Sequence, residues 1–256
     1  MPPRISIITP CLNAAATIRD TIESVINQDF DDMEYIVIDG GSTDGTLEIL
    51  QEYPDIIDKV VSEPDQGISD AFNKGIKLAS GDYIGIINAD DYYEPCAFTN
   101  ILEVAAANGD PDVIHGSLRY IPVTGNDYLE HPCIERIWNY MSVFHPTMFI
   151  HRRAYQKIGD YRMDYRYAMD SEWVHRALAG RLKPVRCSGI ISSMRLGGVS
   201  HKNLLSSLLE FRRSAITHGA SRITANYYFV RQLAIQNLVN IRLVKKLRLR
   251  LRATSY

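Results

Sequence analysis

Residues 5–28, ISIITPCLNAAATIRDTIESVINQ, open as a strand and close as a helix. Ile5 to Thr9 is rich in β-branched residues, which favour the pleated conformation. From Ala14 to Gln28 the apolar residues Ile18, Ile22, Val25 and Ile26 recur at the three- and four-residue steps of one helix face. The unit then repeats. Strands are predicted at Tyr35 to Ile38, Ile56 to Val61 and Tyr83 to Ile87, and helices at Thr46 to Tyr53 and Ile68 to Ala79. Such alternation builds a parallel sheet with helices on its faces. Beyond Pro95 the order is mixed: a helix from Ala97 to Ala107, strands at Val113 to Ile121, Thr147 to Ile150 and Val185 to Met194, and a helix from Asp170 to Ala179. The reading is one α/β domain over residues 1–205, divided into halves 1–110 and 111–205, with a basic helical extension over 206–256.

A chain of 256 residues that is 46% hydrophobic and 23% charged supports a buried core and is not of the disordered class. Its longest stretch without Asp, Glu, Lys or Arg, Ile137 to His151, is 15 residues and contains Pro146. A spanning helix needs about 20 apolar residues, so none is predicted. The N-terminus lacks the basic, apolar and small-residue succession of a leader, and a cytoplasmic location is expected. Cys11, Cys96, Cys133 and Cys187 form no closely spaced pair and read as reduced, mostly buried thiols. The net charge of −2 hides a division, since Glu210 is the last acid and 10 of the 28 basic residues follow it.

In an open parallel sheet, ligands bind beyond the carboxyl ends of the strands, where strand order reverses. Three predicted strands run into polar residues there: Thr9-Pro10-Cys11-Leu12-Asn13, Asp39-Gly40-Gly41-Ser42 and Asn88-Ala89-Asp90-Asp91. Adjacent carboxylates such as Asp90 and Asp91 repel unless a cation or hydrogen-bond donors hold them, and hard oxygen ligands suit Mg²⁺ or Mn²⁺ shared with substrate phosphates. Capping of the following helix would account for one of the two carboxylates. Neither the Gly-x-Gly-x-x-Gly turn of a dinucleotide site nor a P-loop is present.

Together, IITPCLN (7–13), IDGGSTDGT (38–46), DQGISDAFNKGI (65–76) and NADD (88–91) resemble family 2 glycosyltransferases of the GT-A fold. The resemblance covers roughly residues 4–200. It implies a Rossmann-like mixed sheet flanked by helices, and inverting transfer of a sugar from a nucleotide diphosphate donor with Mn²⁺ or Mg²⁺. By position it implies that Thr9, Pro10 and Asp39 contact the base, that Asn13, Asp70 and Asn73 serve the donor side, that Asp90 binds the ribose and that Asp91 binds the metal. Asn88 stands where many relatives carry Asp. YAMDSEW (167–173) resembles the segment with the catalytic base, which falls on Asp170. Asp170 also suits the N-cap of the predicted helix, and both roles are compatible. Glu172, two residues on, is an acceptor-side candidate, and because the two diverge on a helix only one of them can face the crevice. His145 and His201 are further acceptor-side candidates, the latter as a metal contact from a closing loop.

The extension continues helical steps through Tyr227, Val230, Ala234, Leu238, Ile241 and Val244 and ends in Arg242, Lys245, Lys246, Arg248, Arg250 and Arg252. A polybasic amphipathic segment suits an anionic inner leaflet. It equally suits a helix packed on the domain or a homo-oligomer contact. Nucleic acid is not expected, because no recognition fold accompanies the charge. Peripheral membrane binding fits a saccharide acceptor carried on a polyprenyl diphosphate. A UDP-sugar is the expected donor and a single sugar the expected transfer. The alternatives are a nucleotidyltransferase and a non-catalytic nucleotide-sugar-binding protein.

Overall fold

A computed structural model of the chain describes residues 5–28, 30–197 and 203–235. Its strands are β1 (Ile5–Cys11), β2 (Met33–Asp39), β3 (Lys59–Ser62), β4 (Tyr83–Ile86), β5 (Tyr92–Tyr93), β6 (Val113–Ile121), β7 (Tyr128–Glu130), β8 (Phe149–His151) and β9 (Pro184–Arg195). The helices are α1 (Ile18–Ile26), α2 (Thr46–Leu50), α3 (Ile68–Leu78), α4 (Ala97–Ala107), α5 (Arg152–Ile158), α6 (Met169–Ala179), α7 (Leu204–Thr217) and α8 (residues 222–235). All the described strands join one sheet in the order β3-β2-β1-β4-β8-β6-β9-β5, with β7 paired to β6. β1 to β4 are parallel, β8 is antiparallel to both its neighbours, and β9 returns parallel to β6.

Two-residue alternation divides the core between the faces of the sheet. Ile5 and Ile7 of β1, with Tyr35 and Val37 of β2, pack on the side of α1 and α4. Ile8, Ile36 and Ile38 pack on the other side, where Phe72 and Ile76 of α3 and Trp173 of α6 lie. Chain order leaves β1 toward β2 on one side and β4 on the other, so the reversal point falls between β1 and β4.

Several elements are shorter or displaced relative to the expectation. Residues 14–17 form a turn before α1, because the Ala14 and Ala15 N–H groups are taken by the Thr46 hydroxyl (2.8 Å) and the Asp44 carboxylate (3.0 Å). Ile56 and Ile57 donate to the Tyr53 carbonyl in a turn, and β3 begins at Lys59. His145–Thr147 is one 3₁₀ turn with Pro146 inside it, and the strand predicted at 147–150 starts at Phe149. Of the cysteines, Cys11 and Cys187 are buried, Cys96 is exposed and Cys133 is partly covered. α7 packs on α6.

Candidate active site

The loops after β1 and β4 open onto a cavity of about 1040 Å³. Pro10, Leu12 and Asn13 line it from β1, and Asn88, Asp90 and Asp91 from β4. From the second half come His145 and Asp170, and from α7 and α8 come Phe211, Arg212, Tyr228 and Phe229. The reversal point thus faces a wall drawn from segments far away in sequence.

The β1 loop is held by the glycine-rich turn after β2. Asn13 has a left-handed backbone (φ 51°); its N–H donates to the Ser42 hydroxyl (2.8 Å) and its side-chain oxygen accepts from Thr43 N–H (2.9 Å). Gly40 allows close packing, since a Cβ there would lie 2.5 Å from an Asp65 carboxylate oxygen. Asp39 is fully buried beneath this turn. Its carboxylate accepts from the N–H groups of Gly41 (3.1 Å) and Ser42 (3.1 Å) and from the hydroxyls of Ser62 (2.7 Å) and Ser42. Burial would raise its pKa, but those hydroxyl and N–H donors outweigh it and hold the group below the ordinary carboxylate range.

Four of the donor-side candidates therefore do not line the cavity. Asp39 is spent on its own turn. The Thr9 side chain is buried against the Tyr35 hydroxyl (3.0 Å), although Pro10 beside it does reach the cavity. Asp70 accepts from Gln66 N–H (3.1 Å) at the start of α3. Asn73 clasps residue 161, donating to its carbonyl (2.8 Å) and accepting from its N–H (2.9 Å). The reason is geometric: only the start of α3 and the two residues before it, Gln66 to Ser69, border the cavity. Asp39→Ala is expected to lower Tm by several degrees, because four or more donors lose a buried acceptor at about 1–3 kcal/mol each for those left unpaired. Weakened UDP binding at unchanged Tm would instead assign Asp39 a direct contact with the base.

At the end of β4, Asp91 is 1% exposed. One carboxylate oxygen accepts the Arg195 N–H (3.1 Å) and the other a long contact from the Asn88 amide (3.5 Å). Burial first, and the charge of Asp90 second, push its pKa well above the ordinary range. The Asn88 side-chain oxygen is buried without a hydrogen-bond partner. Two under-satisfied hard oxygens at one strand end suit a divalent cation. Among the described residues no group of three or more His, Cys, Asp or Glu forms a complete cage, so substrate oxygens and water would fill the remaining positions. Arg195 adds positive charge, its guanidinium donating to the Asp90 carbonyl (2.8 Å) and to the Asp20 carboxylate (2.6 Å).

Across the cavity, Asp170 sits in the first turn of α6. It is not the cap: that position is Ala168, and one Asp170 carboxylate oxygen accepts the N–H of Ser171 (2.7 Å). The other lies 3.7 Å from Nδ1 of His145, whose Nε2 is buried without a partner. Glu172 does not face the cavity. It is fully buried and paired with Arg176 (2.9 Å) and His218 (3.1 Å). Trp173 belongs to the core, donating to the Gly159 carbonyl (3.0 Å), whereas Trp138 lines the cavity and stacks on His175 at 4.7 Å. His201 lies outside the described residues. Sequence reasoning missed Arg195, Arg212 and the aromatic residues of α7 and α8. The one signal for Arg195 was its place directly after the last predicted strand.

The Glycosyl transferase family 2 model matches residues 6–197. The chain is 28% identical over 205 residues to a PGL/p-HBAD biosynthesis glycosyltransferase of Mycobacterium bovis, covering 78% of this chain and 80% of that one. It is 40% identical over 99 residues to a chondroitin synthase of Escherichia coli, covering 37% of this chain and 14% of that one. S. aureus TarS 1–349 in complex with UDP-GlcNAc superposes with a TM-score of 0.65 at 17% identity, over 90% of this chain and 71% of that one. The mannosyltransferase PcManGT from Pyrobaculum calidifontis, in complex with GDP-Man and Mn²⁺, does so with a TM-score of 0.65 at 18% identity, over 90% and 70%. The fold is the GT-A fold that the four motifs implied. The chain belongs to glycosyl transferase family 2 and is a glycosyltransferase.

Proposed function

We propose that the protein is an inverting transferase that moves one sugar from a UDP-sugar to a hydroxyl of a lipid-linked saccharide. The observation that carries this reading is the meeting, in one cavity, of the Asn88–Asp91 strand end with the Asp170 and His145 pair. Complexes of similar folds with UDP-GlcNAc, or with GDP-Man and Mn²⁺, support a nucleotide-sugar donor and a cation. Pro10, Leu12 and Asn13 offer the surface for the nucleoside, and Asp90 a carboxylate for its ribose. When bound, Mn²⁺ or Mg²⁺ held by Asp91 and Asn88 would neutralise charge on the departing diphosphate as a Lewis acid. Asp170 takes the proton from the acceptor hydroxyl as its oxygen bonds to the anomeric carbon. The bond from that carbon to the diphosphate breaks on the opposite side, and UDP leaves with the electron pair. His145 stands against the Asp170 carboxylate and the Phe72 ring (5.9 Å), limiting its freedom. One base and one displacement invert the anomeric centre.

The test is release of nucleotide diphosphate from a panel of nucleotide sugars with Mn²⁺ or Mg²⁺, since slow hydrolysis needs no acceptor. Metal-dependent UDP release from one UDP-sugar is expected. Release of pyrophosphate from a nucleoside triphosphate supplied together with a sugar phosphate would favour a nucleotidyltransferase, and tight binding without turnover a sensor.

No helix among the described residues is long and apolar enough to cross a membrane. α8 nevertheless exposes Ile223 (84%), Tyr227 (61%) and Val230 (62%) at helical steps. The basic residues Arg242 to Arg252 that follow lie outside the described residues. We read this face and the basic end as a peripheral anchor to an anionic inner leaflet, at about 1 kcal/mol per basic residue near the surface. Removing residues 240–256 is expected to weaken co-sedimentation with anionic vesicles by tenfold or more and to abolish its salt dependence. Equal pelleting of both forms, or indifference to lipid charge, would leave the extension as a packing or oligomer contact.

A further inference from the structure

We propose that Glu210 of α7 is a positioning residue for Asp170, fixing the backbone that leads into the helix that carries it. The first N–H groups of an α-helix have no partner within the helix and ordinarily need a local side chain to cap them. In α6 the capping position is Ala168, whose methyl group accepts nothing, and no side chain of the cap residue bonds there. The Glu210 carboxylate, 42 residues further on, holds the backbone that leads into the helix, rather than the helix's own first N–H groups. One oxygen accepts from Arg166 N–H (3.0 Å), and the other from Tyr167 N–H (2.8 Å) and Ala168 N–H (3.0 Å). Asp170 follows two residues later. A full negative charge at that end also complements the helix dipole.

The placement of Glu210 is itself fixed by neighbours on the same face of α7. The Arg213 guanidinium binds the Asp164 carboxylate and lies 4.0 Å over the Tyr165 ring. Ser214 meets Nδ1 of His175 at 2.8 Å, while His175 Nε2 faces the Ile137 carbonyl at 3.1 Å. A carbonyl only accepts, so Nε2 carries the hydrogen and Nδ1 accepts from Ser214. Burial lowers the His175 pKa to about 4, consistent with the neutral ring this pairing requires. His218 reaches Glu172 at 3.1 Å. Steps 210, 213, 214 and 218 share one helix stripe. The extension thus governs the register of residues 164–168, and the residues that follow carry the candidate base.

The inference rests on the reading of Asp170 as the base, and its test separates the two. Glu210→Ala and Glu210→Gln are measured for UDP binding by calorimetry with Mn²⁺ and for kcat and donor KM with the substrates the panel identifies. Loss of all three contacts is expected to lower kcat about 10- to 100-fold, in keeping with the cost of a small misplacement of a reacting group. UDP affinity, binding stoichiometry and donor KM should stay within twofold. Glutamine, which keeps one accepting oxygen, should fall between wild type and alanine. It also serves if the alanine variant fails to fold. Added to Asp170→Asn, Glu210→Ala should cost nothing further, because a positioning residue has no effect once the group it positions is gone. A full additional loss in that background, or kcat within twofold of wild type for both single variants, would overturn the proposal alone. Near-normal turnover of Asp170→Asn itself would remove the base assignment and the proposal with it.

Discussion

Asp91→Asn is expected to lower kcat for transfer about 10²- to 10³-fold and to reduce UDP affinity in Mn²⁺ to the value measured in EDTA. Asparagine keeps the size of the side chain and an oxygen for the Arg195 N–H, so Tm in EDTA should not fall. What it removes is a carboxylate whose charged form burial and Asp90 disfavour, met only by one N–H and one long amide contact. On the proposed reading a bound cation favours the charged form. Charge on the leaving diphosphate grows as its bond to the sugar breaks, so the ligand loss weighs more on the transition state than on the bound donor. Each factor of ten corresponds to about 1.4 kcal/mol, and a few kcal/mol is the scale expected for one lost ligand. Turnover within threefold of wild type at saturating Mn²⁺ would refute the ligand assignment. Asn88→Ala should act in the same direction and more weakly, since an amide oxygen contributes no net charge.

The parallel half of the fold was legible because its signals are local. Three- and four-residue steps in residues 18–26 and β-branched runs in β1, β2 and β4 are read from neighbours in sequence, and the crevice follows from topology alone. The Asp90-Asp91 end of β4 was therefore found without a structure. How each polar side chain is satisfied was not legible, because its partners come from elsewhere. Asp39, Asn73 and Glu172 look like site residues by position, yet Ser62, the backbone of Tyr161 and His218 respectively take up their hydrogen-bonding capacity. The same long-range contacts hid the role of α7. The extension was read as helical, but nothing local tells that Glu210 meets three backbone N–H groups at residues 166–168. Ile56 and Ile57 misled for a related reason: β-branched residues favour strands but serve equally well as buried turn residues under α1 and α2, which is where Ile57 lies.

Asp170→Asn should leave UDP and donor binding within twofold by calorimetry while lowering transfer about 10²- to 10⁴-fold, the range expected when a general base is lost. The change is nearly isosteric. The oxygen that accepts the Ser171 N–H remains, so α6 keeps its first turn, and what disappears is the proton acceptor on the wall opposite Asp91. Other carboxylates nearby are poor substitutes: Glu172 is fully buried, and Asp164 is held by Arg162 and Arg213. His145, 3.7 Å from Asp170, is the neighbouring group with a free ring nitrogen, and it lines the same cavity. If the Asp170 variant keeps near-normal turnover, the base assignment fails, and a large loss in His145→Gln would then transfer the role to the imidazole. Product stereochemistry by NMR tests the scheme independently of either residue. A single displacement with Asp170 as base requires inversion at the anomeric carbon, whereas retention would demand a nucleophile on the donor side, where the described carboxylates lining the cavity are Asp90 and Asp91, which the proposed reading assigns to ribose and cation.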